Sequence, residues 1–229
     1  MEKAASPMPP KQGKSPIRAV IFDMGGVLAP DADYSPVFQR QSVIVDRESL
    51  KTLKKTQWNL ARVTPAYPME QFWQPILEAL SIPAEEWSKI DREVRDLFVP
   101  WWHMFALVDK LRSAGYRVGI ISNHICAWFD HWFARFGLDA LFNEPELVAV
   151  SSRLGIAKPD AKVFEQYCAL TGLDASECVF VDNQIENVEA ARGAGWTAVQ
   201  FHHRDKEGQL IETPDALLEK LRAQGIDIP

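Results

Sequence analysis

Apolar residues gather in five short runs, at 17–22, 116–121, 147–150, 178–181 and 197–201, with 147–150 the weakest. Runs this short and this apolar, stopped by turn residues, predict strands buried on both faces. Three end on polar groups: 17–22 at Asp23 and the following Met24, Gly25 and Gly26, 116–121 at Ser122 and Asn123, and 178–181 at Asp182 and Asn183. Between the runs, apolar residues recur at helical spacing over 105–114, 127–136, 159–170, 184–194 and 216–223. Glycine follows at or near each helical end (Gly115, Gly137, Gly172, Gly195, Gly225), and Pro159 opens the third. Strands alternating with helices of about ten residues predict an α/β fold: a Rossmann-like parallel sheet with helices on both faces.

Residues 31–100 break this rhythm, with helical patterns at 49–60, 69–80 and 84–98 and little strand signal. The pattern predicts an all-helical cap inserted into a core made of 17–30 and 101–229. The insert is rich in aromatic residues, with Trp58, Phe72, Trp73, Trp87 and Phe98 inside it and Trp101 and Trp102 at its return. The tryptophan pair reads as packing. Aromatic rings lining a cap–core cleft would imply a substrate with an apolar or ring-shaped part. Residues 1–16 mix Lys, Pro, Ser and Gly without an apolar signal core and read as a disordered tail.

Composition narrows the function. The chain has 229 residues and a formal net charge of −6, with no long basic stretch, which argues against a nucleic-acid partner. No window of about 18 apolar residues is present, so no membrane span is expected. Cys126, Cys168 and Cys178 are widely spaced and read as reduced packing residues of a cytoplasmic protein.

Ligands of an open parallel sheet bind at the carboxyl ends of its strands. Asp23, Ser122 and Asp182 stand at such ends, and Lys158 sits just before a helix start. Two carboxylates buried together need cations to compensate them, and a lysine with a divalent metal would do so. Magnesium suits a site of carboxylates, a backbone carbonyl and substrate oxygens.

Phe22 to Leu28 (Phe-Asp-Met-Gly-Gly-Val-Leu), Ile121 to Asn123 (Ile-Ser-Asn), Lys158 to Asp160 (Lys-Pro-Asp) and Phe180 to Asn183 (Phe-Val-Asp-Asn) together resemble the haloacid dehalogenase-like hydrolase superfamily. The likeness is strongest to its phosphatases with a helical cap after the first strand. The motifs keep the family's order and span 17 to about 201. The resemblance implies that Asp23 is a nucleophile forming an aspartyl-phosphate that water hydrolyses. It implies that Ser122 and the N–H of Asn123 hold phosphate oxygens, with Gly26 and its neighbours cradling the phosphoryl group. Lys158 would neutralise charge between nucleophile and phosphate. Mg2+ would be bound by Asp23, the carbonyl of Gly25 and Asp182.

Two positions depart from the family pattern. Typical phosphatases carry an acid–base aspartate two residues after the nucleophile, and here that residue is Gly25. Three readings stay open: a substrate with a good leaving group, such as an anomeric sugar phosphate, an acyl phosphate or a diphosphate; an acid from elsewhere, with His124 and Asp31 near in sequence; or a protein that binds phosphate or metal without turnover. The fourth motif carries Asn183 and Glu186 where many members have a second aspartate, and both are candidates for the outer shell of the metal. His124 alone after a strand reads more simply as a surface or packing residue, and His202 and His203, on opposite faces of a strand, as structural. The expectation is thus a Mg2+-dependent phosphatase of a small phosphorylated metabolite. The alternative is a dehalogenase that attacks carbon without metal, which the residues after Asp23 and Asp182 do not resemble.

Overall fold

The structure, a computed structural model, describes residues 17–31, 35–39, 46–204 and 208–228. The tail expected at 1–16 lies outside them, as do 32–34 and 40–45 of the insert. Five strands form one sheet: β1 (Ala19–Phe22), β2 (Arg117–Ser122), β3 (Val148–Val150), β4 (Cys178–Asp182) and β5 (Thr197–Gln200). Every pairing is parallel, in the order β3-β2-β1-β4-β5. The weakest apolar run is the edge strand β3.

The alternation of side chains along the strands sorts them into two cores. Val20, Phe22, Val118, Ile120, Val179 and Val181 face one hydrophobic cluster. Ala19, Ile21, Ile121, Cys178 and Phe180 face the other. The second cluster is closed by α8 (Lys162–Thr171) through Val163, Phe164 and Tyr167, and by α9 (Ile185–Gly193) through Val188 and Ala191. The first is closed by α5 (Trp102–Ser113), α6 (Cys126–Phe136) and α10 (Pro214–Arg222). Gly119 sits mid-strand because Tyr167 crosses it: a Cβ there would stand 2.4 Å from the phenol oxygen, which donates to Leu147 O at 2.9 Å.

Between β1 and α5 the described residues contain no strand of the sheet. They form α1 (Ser35–Gln39), α2 (Arg47–Ala61), α3 (Met69–Ala79) and α4 (Trp87–Asp96). Asp46 caps α2 by accepting from Glu48 N and Ser49 N. Phe72, Trp73, Ile76 and Leu77 of α3 are fully buried, in the same cluster as one face of the sheet. Buried Asp91 of α4 accepts from the indoles of Trp73 (2.9 Å) and Trp128 (2.7 Å) and pairs with Arg95, which meets the cost of burying its charge. This joins α4 to α6. Two boundaries differ from the sequence pattern. The helix expected from Pro159 begins at Lys162, because Asp160 Oδ1 accepts from Lys162 N and holds a turn first. A short α7 (Ser151–Leu154) follows β3 directly. Among the described residues no helix is long and apolar enough to cross a membrane, and all three cysteines are free.

Candidate active site

The strand order reverses at β1 and β4, the switch point where an open sheet leaves a crevice at its carboxyl edge. Asp23 directly follows β1 and Asp182 ends β4, on adjacent strands in register. The N–H of Asp23 donates to Val181 O at 2.8 Å, which fixes the two carboxylates side by side. Lys158 lies between them, fully buried, with Nζ 2.9 Å from Asp23 Oδ1 and 2.7 Å from Asp182 Oδ2. Its approach is set by Asn123, whose side-chain amide donates to Lys158 O (2.8 Å) and accepts from Lys158 N (2.9 Å). Asn123 thus holds the lysine as well as standing beside buried Ser122 at the end of β2.

Burial raises the Asp23 pKa to about 7; Asp182 pushes the same way, and Lys158 opposes both. Burial disfavours the charge of Lys158, but Asp182 and Asp23 outweigh it and hold its pKa above the usual value. Asp182 Oδ1 accepts from Gln184 N (2.8 Å), and its Oδ2 accepts from Asn187 Nδ2 (3.0 Å) besides Lys158. Asn187 went unnoticed in the sequence; its signal is a polar residue in the first turns of α9 on the face that packs inward.

The loop after β1 folds back on itself. Leu28 N and Ala29 N donate to Met24 O, and Gly26 N donates to Ala29 O at 2.8 Å. Met24 N donates to Asp23 Oδ1 at 2.8 Å. The Gly26 N–H expected to cradle phosphate is therefore spent inside the loop. Gly26 is needed for shape: its φ is +74°, and a Cβ would lie 2.2 Å from Asn183 Nδ2. The fold-back also returns Asp31 to Gly25, where an added Cβ would stand 2.7 Å from Asp31 Oδ1. An Asp31 carboxylate oxygen thus stands beside the space that a side chain at residue 25 would enter. Desolvation, reinforced by Asp182 and opposed by Lys158, raises the Asp31 pKa.

These groups open into a cleft of about 370 Å³, lined by Asp23, Met24, Gly25, Asp31, Ser122, Asn123, Lys158 and Glu186, and by residues of the helical insert including Trp58, Arg62 and Phe98. His124 lines it as well but is buried, not a surface residue. Its Nδ1 accepts from Ile125 N at 2.9 Å, and burial lowers its pKa to about 4, only partly offset by the Ile125 carbonyl, so it is a neutral ring near pH 7. His202 is exposed and His203 buried against His103, with Nε2 atoms 2.6 Å apart, away from the cleft lining.

The low pKa of His124 makes stability depend on pH. The unfolded histidine takes up a proton near pH 6.5 and the folded one near 4, so its contribution is complete above about 6.5 and lost as pH falls toward 4. In urea titrations between pH 7 and pH 5, wild type should lose about 2 kcal/mol more stability than a His124→Phe variant. Other titrating groups cancel in this comparison. Equal losses would contradict the neutral assignment.

Among the described residues no three His, Cys, Asp or Glu side chains are grouped to hold a metal. A cation here would take two carboxylates and neutral oxygens. The donor set fits a hard cation: Asp23 Oδ1 carries the bonds from Met24 and Lys158, and the Oδ1 of Asn183 is buried without a hydrogen-bond partner.

A family model for haloacid dehalogenase-like hydrolases matches residues 17–195, which contain all of these groups. The chain belongs to that family. Among its relatives, phosphatase MT3486 of Mycobacterium tuberculosis is 29% identical over 91% of this chain and 95% of its own. Sesquiterpene phosphatase astK of Aspergillus oryzae is 25% identical over 80% and 89%. (S)-2-haloacid dehalogenase 4A of Burkholderia cepacia is 24% identical over 82% and 84%. The crystal structure of a HAD family enzyme, bt-2542 of Bacteroides thetaiotaomicron, superposes with a TM-score of 0.69 at 20% identity, covering 84% of this chain and 98% of that one. Another structure of that enzyme, a complex with magnesium and inorganic phosphate, gives 0.66 at 19% identity over 83% and 97%.

Proposed function

We propose that this hydrolase is a magnesium-dependent phosphatase of a small phosphorylated metabolite, working through an aspartyl-phosphate on Asp23. The observation that carries the reading is the buried Asp23–Lys158–Asp182 cluster at the sheet's switch point, opening into a cleft. Phosphatases among the relatives support phosphorus over carbon as the atom attacked.

Asp23 attacks phosphorus through a carboxylate oxygen while Lys158 balances the charge between nucleophile and phosphoryl group. Ser122 and the N–H of Asn123 hold the phosphoryl oxygens. Asp31, beside the space of the missing side chain at Gly25, gives its proton to the leaving oxygen. The resulting Asp31 carboxylate then takes a proton from the water that attacks the aspartyl-phosphate, which releases phosphate and restores Asp23. Mg2+, held by Asp23, the Gly25 carbonyl and Asp182 with Asn183 and Glu186 outside them, would supply charge neutralisation for the phosphoryl oxygens. The helical insert 31–100 acts as a cap that shapes the cleft.

Release of phosphate from an aryl phosphate, and of halide from a 2-haloacid, should be followed with magnesium and with a chelator. The expected result is phosphate release that chelation abolishes and no halide release. Halide release in the presence of chelator would replace this reading with dehalogenation. Metal binding without turnover on a broad phosphate panel would replace it with a binding role.

A further inference from the structure

The cleft wall contains a cation that the phosphoryl chemistry does not use. Arg62 closes α2 and lines the same cleft as Asp23. Its Nε is buried without a hydrogen-bond partner. Desolvation lowers its pKa, and no carboxylate offsets that loss. The backbone is anchored, since Ser151 Oγ donates to Arg62 O and Arg62 N donates to Trp58 O. A guanidinium that is partly dehydrated and unmatched costs free energy unless a ligand completes it.

Its surroundings describe that ligand. Trp58, one helical turn before Arg62, meets His124 edge-on with ring centres 5.1 Å apart. His124 meets Trp132 at 4.6 Å, and Trp132 stacks on Phe98 at 3.9 Å. All four rings line the cleft, and the imidazole is uncharged. Lys158, the other cation among the described lining residues, is committed to two carboxylates. Glu186 adds negative charge to the lining, so among the described residues Arg62 is the group placed to receive a second substrate anion. A guanidinium fork matches one carboxylate in charge and geometry, whereas a second phosphate would find no further cation among the described lining residues.

We propose that Arg62 recognises a carboxylate on the substrate, so that the enzyme acts on phosphate esters with an apolar or ring-shaped body and a carboxylate distal to the phosphate. This assignment rests on the phosphate-site reading above.

Two non-hydrolysable ligands separate the claims: 4-carboxybenzylphosphonate and 4-methylbenzylphosphonate, with binding measured by calorimetry in the presence of magnesium. Wild type should bind the carboxylate ligand about tenfold or more tighter. Arg62→Met should erase that preference and leave the affinity for the methyl ligand unchanged, which also shows that the variant is folded. Arg62→Lys should restore only part of it. Equal binding of both ligands by wild type, or a preference that survives Arg62→Met, would overturn the Arg62 assignment and leave the phosphate site standing. Binding of neither would overturn the phosphate site, and the assignment with it.

Discussion

An Asp23→Asn variant should lose magnesium-dependent turnover of an aryl phosphate by at least about a thousandfold, as removal of a covalent nucleophile does. The substitution keeps the shape of the site, because the amide oxygen can still accept from Met24 N and Lys158 Nζ. What disappears is the anionic oxygen that attacks phosphorus. Stability should move the other way. Burial raises the folded pKa of Asp23 to about 7, above the ordinary 3.8, so its ionised form costs the fold free energy. That cost is absent at low pH and grows as pH rises through the interval between the two values. A neutral amide avoids it. In chelator at pH 8 the variant should therefore unfold no earlier than wild type. Near-wild-type turnover would remove Asp23 from the chemistry. Loss of turnover together with early unfolding would reduce it to a structural residue.

Replacing Asp31 by Asn should produce a defect that depends on the leaving group. General acid catalysis is worth about 10²–10⁴ where the departing oxygen is a poor leaving group. Alkyl phosphates should lose activity by a factor in that range. A nitrophenyl phosphate needs little protonation of its leaving group, so Asp23 should still be phosphorylated quickly. The second step then lacks its base, and rapid mixing should show a burst of about one equivalent of nitrophenolate followed by slow turnover. An equal fractional loss on alkyl and aryl substrates, without a burst, would make Asp31 a binding or structural residue. The geometry favours the first outcome, since Asp31 Oδ1 stands 2.7 Å from where a Cβ on Gly25 would be.

Much of this was legible in the chain because strands announce their ends. Short apolar runs stopped by Asp23, Ser122 and Asp182 put those residues at the carboxyl edge of a parallel sheet, where they are found. The five-strand α/β architecture followed from the same alternation. What escaped depends on contacts between distant segments. Arg62 enters the cleft only because α2 lies against the core, beside Trp58, one of the insert aromatics expected near such a cleft. Asn187 matters because α9 turns one face toward the end of β4. His124 reads as a surface or packing residue, and packing is what is found; what the sequence does not show is that the α6 aromatics and Trp58 enclose it and keep it neutral. Gly26 was assigned to phosphate, but its N–H closes the loop that brings Asp31 back. A hydrogen bond across a tight loop has no periodic signature from which it could be read.

Trapping the covalent intermediate tests the central claim most directly. Asp31→Asn protein, in which hydrolysis of the intermediate should be slowed, would be mixed with nitrophenyl phosphate and magnesium, quenched, and reduced with borohydride to convert an acyl phosphate into an alcohol. Peptide mass spectrometry should then find homoserine at position 23, and this signal should vanish with chelator. Turnover accompanied by an unmodified Asp23, or by modification at another residue, would contradict the account.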